Sequence, residues 1–594
     1  MAKNTDDKKR KAQEVEAEDD QDYYEDEEEY NEEEGQEGEE EEYNEEDADE
    51  MKTKAEKREE KMTKKSKFDN NAQMVYDAKV LWEKLKLVSL SKSERQPLVD
   101  RLFKMVEGKM TQIVKKHDAS RIIQTLLKYG NEKQRDTIYN ELKSDVVAMA
   151  PHVYGRFLVV KLLKYCSKEQ RNEILKAFYG SIVKLTRNRE AGHVIEYMYA
   201  EIANAVQRGA ILEEFYSEEY RLFKSDKART LNDIITASPH KKEAIITELG
   251  KKLTKALSNK GELLVTYTFI QKLVIQYFEH ATPENCSDMA ETLSEITLPM
   301  VHTKDGAVIT YYTISYGSAK TRKSIIKGMK DYFCKVALEQ HGHLALLRLL
   351  DVTDDTMLLN KSVLAELITQ LPDLAVSQYG HLWILHLLVP YSSQVFSEHT
   401  INRLKPVIKS TQDIEHKVSK KDHDTRRKEL MEFMAPKLID LCSNHLQQLC
   451  CSPFGVKVLT YTLKECQGNK IILMNRLIDL LTTSIDEEES IVGGNNTSNI
   501  QLLLKNDYIK TTDLPKSMFE KLKDRLVDLS LQDENMAFIV RDLIKYALSE
   551  NALQKEAIKI IDKNQKKLNQ GNVGCKSMVK VLLNQNTTKD TKKK

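Results

Sequence analysis

The sequence predicts an all-α fold, built as an array of stacked helical units. A short frame of apolar residues recurs at a step of 36 residues, from Ala119 to Gly155 and again to Ala191. Proline and glycine are sparse, with 11 and 21 residues among 594, and no stretch alternates apolar and polar residues as a strand does. A chain of this length also exceeds what one hydrophobic core supports, which favours several domains or a repeat array.

Each frame places one small residue and two apolar pairs on a single helical face. In the first frame Ala119 is followed by the pairs Ile122–Ile123 and Leu126–Leu127, which share one stripe of a helix. The small residue predicts close approach by a neighbouring helix. Because one unit cannot bury its own stripe, the units are expected to stack into a solenoid.

The frame returns with looser spacing, so about eleven units are expected. They begin near Ala119, Gly155, Ala191, Tyr267, Gly306, Gly342, Gly380, Gly455, Asn499, Met536 and Cys575. An inserted helical segment is expected near 205–260. Residues 410–430 are predicted to form a charged loop or a projecting helix, and residues 486–499 an exposed loop.

The charge of the chain is divided between an acidic segment and a basic remainder. Residues 14–50 hold 24 Asp or Glu and no Lys or Arg. The rest has 91 basic against 69 acidic residues, a formal charge of about +22, and is expected to attract polyanions. Residues 1–67 are predicted to be disordered, since they contain too few apolar residues to offset chain entropy. The acidic segment is expected to compete with nucleic acid, to hold basic proteins, or simply to aid solubility.

The sequence predicts an intracellular protein of a reducing compartment. None of the eight cysteines forms a CxxC pair, the N-terminus is polar, and no apolar run is long enough to cross a bilayer. The basic runs at 8–11 and 52–67 are typical of nuclear addresses. We therefore expect no membrane partner.

No catalytic or nucleotide-binding motif of the types GxxxxGK[ST], GxSxG, HExxH or GxGxxG occurs. The pairs His341/His343 and His381/His386 come nearest to a metal-binding pattern. Their places in the frame favour structural or surface histidines. We predict no enzymatic activity, no cofactor, no metal and no small-molecule substrate.

Ser120, Arg121 and Gln124 lie between the apolar residues of the first frame. Ser120 and Gln124 are one turn apart and point the same way, and an amide can bond a base edge while a guanidinium stacks or pairs with phosphate. This S-R-x-x-Q pattern on a 36-residue helical unit resembles the PUF (Pumilio-like) RNA-binding family. The resemblance implies that Ser120 and Gln124 contact a base edge, that Arg121 stacks, and that the combination reads adenine.

Later units depart from that pattern. Phe157 in the second unit and His193 in the third could stack on a base, and Glu196 is similar to a guanine reader without its serine partner. Further units cannot implement a base code, because they place at these positions Ala307, Val308, Tyr311, His343, Leu344, Leu347, His381, Leu382 and Leu385. Sequence discrimination is therefore expected to be low.

The chain resembles one branch of the family, the nucleolar Puf-A-like proteins with a CPL region. The likeness rests on about eleven degenerate units, the acidic-then-basic N-terminal segment and residues 349–390. It implies a right-handed, L-shaped solenoid of Pumilio-type three-helix repeats. One set of repeats is expected over 75–345 and a second set, which includes the CPL region, over 346–585. A basic tail over 586–594 follows.

The same resemblance implies a function. It implies RNA or DNA binding with little sequence preference, nuclear and nucleolar location, and a role beside pre-ribosomal proteins in large-subunit assembly or rRNA processing. Some members are also linked to translational repression of mRNA. None of this follows from the periodicity, which predicts only the solenoid.

Basic residues at matching places in the first three units predict a positive stripe that contacts phosphates. They are Lys115, Lys116, Arg156, Lys161, Lys164, Arg187 and Arg189. The alternative is a protein-interaction solenoid of the HEAT or armadillo type without nucleic-acid binding. The Ser120/Arg121/Gln124 pattern and the basic body favour the first interpretation.

Overall fold

The computed structural model describes residues 71–86, 91–404, 419–483, 496–550 and 552–581. The chain divides into two compact segments, Met1–Gln73 and Met74–Lys594, and nearly all described residues belong to the second. Every regular element in the described ranges is helical, which confirms the all-α prediction. The tails predicted over 1–67 and 586–594, and most of the loop predicted over 486–499, lie outside the described residues.

Each of the eleven predicted frames lies on or at the start of a helix, and these helices are called repeat helices below. Their bounds are His117–Tyr129, Gly155–Tyr165, Arg189–Tyr197, Thr268–His280, Lys304–Tyr316, Gly342–Val352, His381–Leu388, Pro453–Glu465, Thr497–Lys505, Glu534–Ser549 and 573–581. The predicted solenoid of Pumilio-type repeats is confirmed at the level of these units.

The remaining helices connect the repeat helices. Up to residue 300 they are Ala72–Leu85, Lys92–Val106, Met110–Ile113, Glu132–Leu142, Val146–Met149, Lys168–Phe178, Ile182–Leu185, Met198–Ile202, Ala205–Tyr216, Glu218–Leu222, Leu231–Ala237, Pro239–Lys241, Lys242–Leu264, Pro283–Leu293 and Leu298–Met300. Beyond it they are Ala319–Gly328, Phe333–Leu338, Thr356–Leu358, Leu359–Leu364, Ala365–Thr369, Leu371–Val376, Glu398–Leu404, His423–Asn444, Leu446–Cys450, Ile471–Thr483, Asp507–Lys510, Leu514–Leu522, Leu526–Gln532 and Gln554–Gln570. No helix in the described ranges is long and apolar enough to span a bilayer.

A short helix packs against the start of most repeat helices and explains the small residue of the frame. A Cβ atom on Gly155 would lie 2.5 Å from the carbonyl oxygen of Met149, and one on Gly455 would lie 2.6 Å from that of Leu449. Both carbonyls belong to the short helix just before the repeat helix. The predicted close approach is confirmed, and the approaching element is the short first helix of the same unit.

Hydrogen bonds at a regular step join each early unit to the one before it. The helices that follow the first three repeat helices begin with capping boxes at Asn131, Ser167 and Asn204. The glutamine of each box also donates to a side chain of the preceding unit. The three pairs are Gln134–Asp100 at 2.8 Å, Gln170–Asp136 at 2.7 Å and Gln207–Asn172 at 2.8 Å.

The buried apolar residues of the described ranges form two clusters that meet on the repeat helix Lys304–Tyr316. Ile309 belongs to the first cluster and Ile314 to the second. The stretch predicted as an insertion near 205–260 is helical, and it ends in the long helix Lys242–Leu264. The domain boundary placed at 345/346 stays a prediction.

Candidate nucleic-acid interface

Ser120 and Gln124, predicted to contact a base edge, are both buried. The Ser120 hydroxyl donates to the carbonyl oxygen of Tyr154 at 2.8 Å, and the Gln124 amide donates to the Ser120 Oγ at 3.1 Å. Tyr154 lies just before the second repeat helix. The Ser120 hydroxyl therefore links two units of the array, and it also accepts from Gln124 on its own helix. Contact of these two side chains with a base edge stays a prediction.

Arg121 remains partly exposed on the same helix. Its guanidinium carbon lies 5.8 Å from the ring centroid of Trp82, within the range of a cation–π contact. Trp82 is buried and its indole nitrogen donates to Thr125 at 2.8 Å. The first helix, Ala72–Leu85, thus supplies a fixed aromatic surface beside Arg121.

Arg156 lies in the interior, and its place on an exposed positive stripe is corrected. Only 3% of the residue is exposed, and its Nε is 2.9 Å from the Glu190 carboxylate of the third repeat helix. The guanidinium also lies 4.2 Å from the ring centroid of Phe157. Phe157 is itself buried, so its ring is not presented to solvent for stacking.

Glu196 caps the next repeat helix. This contact differs from the base-reading role that is expected of Glu196. Its carboxylate accepts from the backbone N–H of Thr268 at 2.9 Å and from the Thr268 hydroxyl at 2.7 Å. Burial raises the pKa of Glu196 despite these hydrogen bonds. His193 is partly exposed and meets the ring of Tyr267 edge-on, with centroids 5.6 Å apart. The contact joins the third and fourth repeat helices across the insertion.

The remaining predicted cations reach solvent. Lys115, Arg187 and Arg189 are exposed, and the partly exposed ones are Lys116, Lys161 and Lys164. The first turns of consecutive repeat helices adjoin, because Ser120 reaches Tyr154 and Arg156 reaches Glu190. Lys115, Arg187 and Arg189 therefore lie along one edge, at the N-terminal ends of the first and third repeat helices.

Later units fill the same positions with rings and apolar side chains. His343 stacks on Tyr379 at 5.4 Å between centroids, and His381 packs on Phe454 at 4.8 Å. Each imidazole Nδ1 is also within hydrogen-bond distance of a backbone carbonyl one turn back. Burial lowers the pKa of both histidines, that of His381 to about 4. These placements agree with the structural role favoured by the sequence.

Sequence reasoning did not foresee that a set of arginines would cap the ends of the repeat helices. Each lies next to a capping residue near the start of a helix, and it donates to a carbonyl at or just beyond the C-terminal end of the preceding repeat helix. The bonds run from Arg135 to Leu127 at 2.8 Å, Arg171 to Cys166 at 3.0 Å, Arg208 to Tyr199 at 2.8 Å and Arg322 to Ile314 at 3.0 Å. The recurrent Gln-Arg pair in the first three units was the available signal. Part of the basic excess is therefore used inside the fold.

Family comparisons agree with this geometry. Residues 119–143 and 145–177 match the Pumilio-family RNA binding repeat, and residues 376–507 match the CPL (NUC119) domain. The crystal structure of human Puf-A is 28% identical, with a TM-score of 0.76 over 86% of this chain and 100% of that chain. The chain therefore carries Pumilio-family repeats and a CPL domain, and it is similar to the Puf-A-like branch of that family. A second Puf-A crystal structure, in complex with DNA, gives a TM-score of 0.75 at 28% identity, over 86% of this chain and 99% of that chain.

Pumilio relatives match over long stretches of sequence. Pumilio homolog 3 of Homo sapiens is 33% identical over 415 residues, which are 70% of this chain and 63% of the relative. Pumilio homology domain family member 6 of Schizosaccharomyces pombe is 27% identical over 522 residues, 85% of this chain and 79% of the relative. The chain thus spans less than two thirds of the length of the human relative.

A buried polar cluster joins the residues matched by the CPL domain to the repeat helix Gly342–Val352 before them. The Asp351 carboxylate lies 2.6 Å from His386 Nε2, accepts from the Tyr391 hydroxyl at 3.0 Å, and lies 3.6 Å from His423 Nε2. Although burial opposes ionisation, the facing histidines and Arg348 hold the pKa of Asp351 below its ordinary value. The same contact raises the pKa of His423. The cluster fixes the start of helix His423–Asn444.

Proposed function

We propose that this protein is an RNA-binding scaffold of low sequence specificity. One observation carries the proposal: the positions expected to read bases, Ser120, Gln124 and Glu196, bond to other groups of the protein, whereas Arg187 and Arg189 stay exposed along the same edge. Contacts to phosphate hold a strand without reading its sequence. The RNA-binding repeat matched at 119–177 and the DNA complex of human Puf-A support a nucleic-acid ligand.

We further propose that it acts in nucleolar ribosome biogenesis, in large-subunit assembly or rRNA processing, with pre-ribosomal proteins as partners. Translational repression of mRNA is a second role implied by the family resemblance. No catalytic step is part of this function. Crosslinking the protein in cells and sequencing the attached RNA tests it: enrichment of precursor rRNA is the expected result, and mRNA alone would favour the second role.

The binding mode is tested by salt dependence. Full-length protein is titrated with labelled 12-nucleotide oligouridine and oligoadenine at several salt concentrations. The triple variant Lys115→Gln/Arg187→Gln/Arg189→Gln should lower the salt slope by about 0.7 per lost phosphate contact, close to 2 in total. The two oligomers should bind with similar affinity in both proteins.

A matched control removes three exposed lysines on other helices, Lys323→Gln/Lys327→Gln/Lys559→Gln, whose side chains lie outside this edge. The control should keep the original slope and thermal stability. An equal slope in all three proteins would refute binding along the edge. Absence of any binding by the unaltered protein would favour the protein-interaction solenoid.

A further inference from the structure

An open groove lies between the long helix Lys242–Leu264 and the helix Pro283–Leu293. Its volume is about 560 Å³. The two helices pack against each other along the fourth unit, and the groove follows their junction. The long helix ends the segment inserted between the third and fourth frames, so the groove arises from the insertion and not from the repeat itself.

The two walls of the groove carry different charges. On the long helix, Lys251 and Lys255 stand one turn apart, and the neighbouring hydroxyls come from Thr247, Thr254 and Ser258. The opposite wall presents Asn285 and Asp288. Within the described ranges, no ion pair or hydrogen bond engages the side chains of Lys251, Asn285 or Asp288. These three groups are therefore available to a ligand.

The floor of the groove is apolar and closely packed. It consists of the ring of Tyr277 and the side chain of Met289. A Cβ atom on Gly250 would lie 2.7 Å from the Tyr277 ring, so only glycine lets the ring lie flat against the long helix at this point. The result is an apolar floor between two polar walls.

We propose that this groove binds an extended acidic peptide segment of a protein partner. Carboxylates of the peptide would pair with Lys251 and Lys255, while its backbone N–H groups would donate to the Asn285 and Asp288 oxygens. A peptide supplies donors and acceptors at every residue, and its side chains can cover the apolar floor. The volume of about 560 Å³ lies within the range of ligand sites.

A nucleic-acid strand fits this groove less well. Its phosphate groups offer only acceptors and negative charge, and they would run beside the Asp288 carboxylate, where no cation lines the same wall of the groove. None of the groove residues belongs to the edge of Lys115, Arg187 and Arg189. Peptide binding in the groove is therefore independent of the proposed RNA binding, and either proposal can be wrong while the other holds.

The test measures binding of a fluorescein-labelled octapeptide of alternating Glu and Ala to the full chain by fluorescence anisotropy. The wall-reversing variant Lys251→Glu/Lys255→Glu and the groove-filling variant Thr254→Trp should each weaken binding at least about tenfold. All three positions are exposed, and circular dichroism verifies folding of both variants. The control Lys559→Glu/Lys563→Glu reverses two exposed lysines with the same spacing on helix Gln554–Gln570 and should bind the peptide as the original chain does.

Other outcomes overturn the proposal. They are absence of peptide binding, an equal loss in the control variant, or unchanged binding by Thr254→Trp. A loss of oligouridine affinity in the wall-reversing variant as large as the loss of peptide affinity would assign the groove to nucleic acid instead. An oppositely charged Lys/Ala octapeptide should bind the original chain weakly and the wall-reversing variant more tightly, because that variant places two new carboxylates near Asp288.

Discussion

The first repeat helices and those of the middle of the chain use the same position in different ways. Ser120 and Arg156 join their units to the next by a hydrogen bond and an ion pair. His343 and His381, at the matching place, do so by packing on aromatic rings. The comparison teaches that this position, which the family resemblance assigns to base reading, serves unit-to-unit contact in both regions.

The two regions differ in the charge left at the surface. The early region keeps Lys115, Arg187 and Arg189 exposed at the ends of its repeat helices. In the middle region burial lowers the pKa of His343 and His381, so both rings are neutral at physiological pH. These two rings therefore add no positive charge to the surface of the middle region.

The strongest test of the middle region removes the buried carboxylate of Asp351. Asp351→Ala leaves His386, Tyr391 and His423 without their shared partner, and should lower the free energy of unfolding by about 3–5 kcal/mol. Urea denaturation measures the change. Asp528→Ala, at an exposed carboxylate, serves as the control. A loss below about 1 kcal/mol would mean that the cluster does not hold the region together.

The matching test in the early region is Arg156→Ala. It leaves the buried Glu190 carboxylate unpaired and should cost about 3 kcal/mol of unfolding free energy. The salt slope of oligouridine binding should not change, because Arg156 does not face solvent. The double variant Arg156→Met/Glu190→Met should recover most of the stability. If Arg156→Ala keeps its stability but shows a shallower salt slope of oligouridine binding, Arg156 contacts phosphate and the assignment to the interior is wrong.

Acid should weaken the middle region through His381. Its pKa is lowered from 6.5 to about 4 by burial, so the stabilising preference for the neutral ring is present above pH 6.5 and is lost as the pH falls toward 4. The shift corresponds to about 3 kcal/mol over that window. His381→Phe keeps a ring against Phe454 and removes the titration. Urea unfolding at pH 7 and pH 4.5 should show a smaller acid loss in this variant, and identical losses would contradict the assignment.

The smallest expected effect is that of Ser120→Ala. The variant loses the hydrogen bond to Tyr154 and should reduce the free energy of unfolding by about 1 kcal/mol. The ratio of oligoadenine to oligouridine affinity should stay the same. Ser324→Ala, on the helix Ala319–Gly328, is the control, because the Ser324 hydroxyl makes no hydrogen bond within the part of the chain that the structure describes. A selective loss of oligoadenine binding would restore Ser120 as a base contact.

The apolar frame made the helices and units predictable from the sequence. Ala119, Ile122, Ile123, Leu126 and Leu127 are all fully buried, because burial of one stripe imposes a helical spacing that is readable in one dimension. The need for a small residue could also be foreseen. The group that approaches the small residue is a carbonyl of the preceding short helix. This could not be foreseen, because it depends on the turn between the two helices.

The polar positions could not be assigned from spacing alone. Ser120, Arg156 and Glu196 lie beside the apolar stripe, and whether such a position faces solvent or the next unit depends on how the helices stack. Their partners, Tyr154, Glu190 and Thr268, lie 34, 34 and 72 residues further along the chain. Counting charges also overestimated the positive surface, because it counts an arginine that caps a helix in the same way as an exposed arginine.

The ladder of glutamine bonds has a mechanical consequence. Gln134, Gln170 and Gln207 each bond to the unit immediately before them. Repeat helices likewise pack on the next repeat helix, as His117–Tyr129 does on Gly155–Tyr165. In such a linear assembly, each module is secured by its two neighbours rather than by a common centre. Tension applied to one terminus in an optical trap should therefore peel the chain module by module, with a series of small force steps instead of a single rupture.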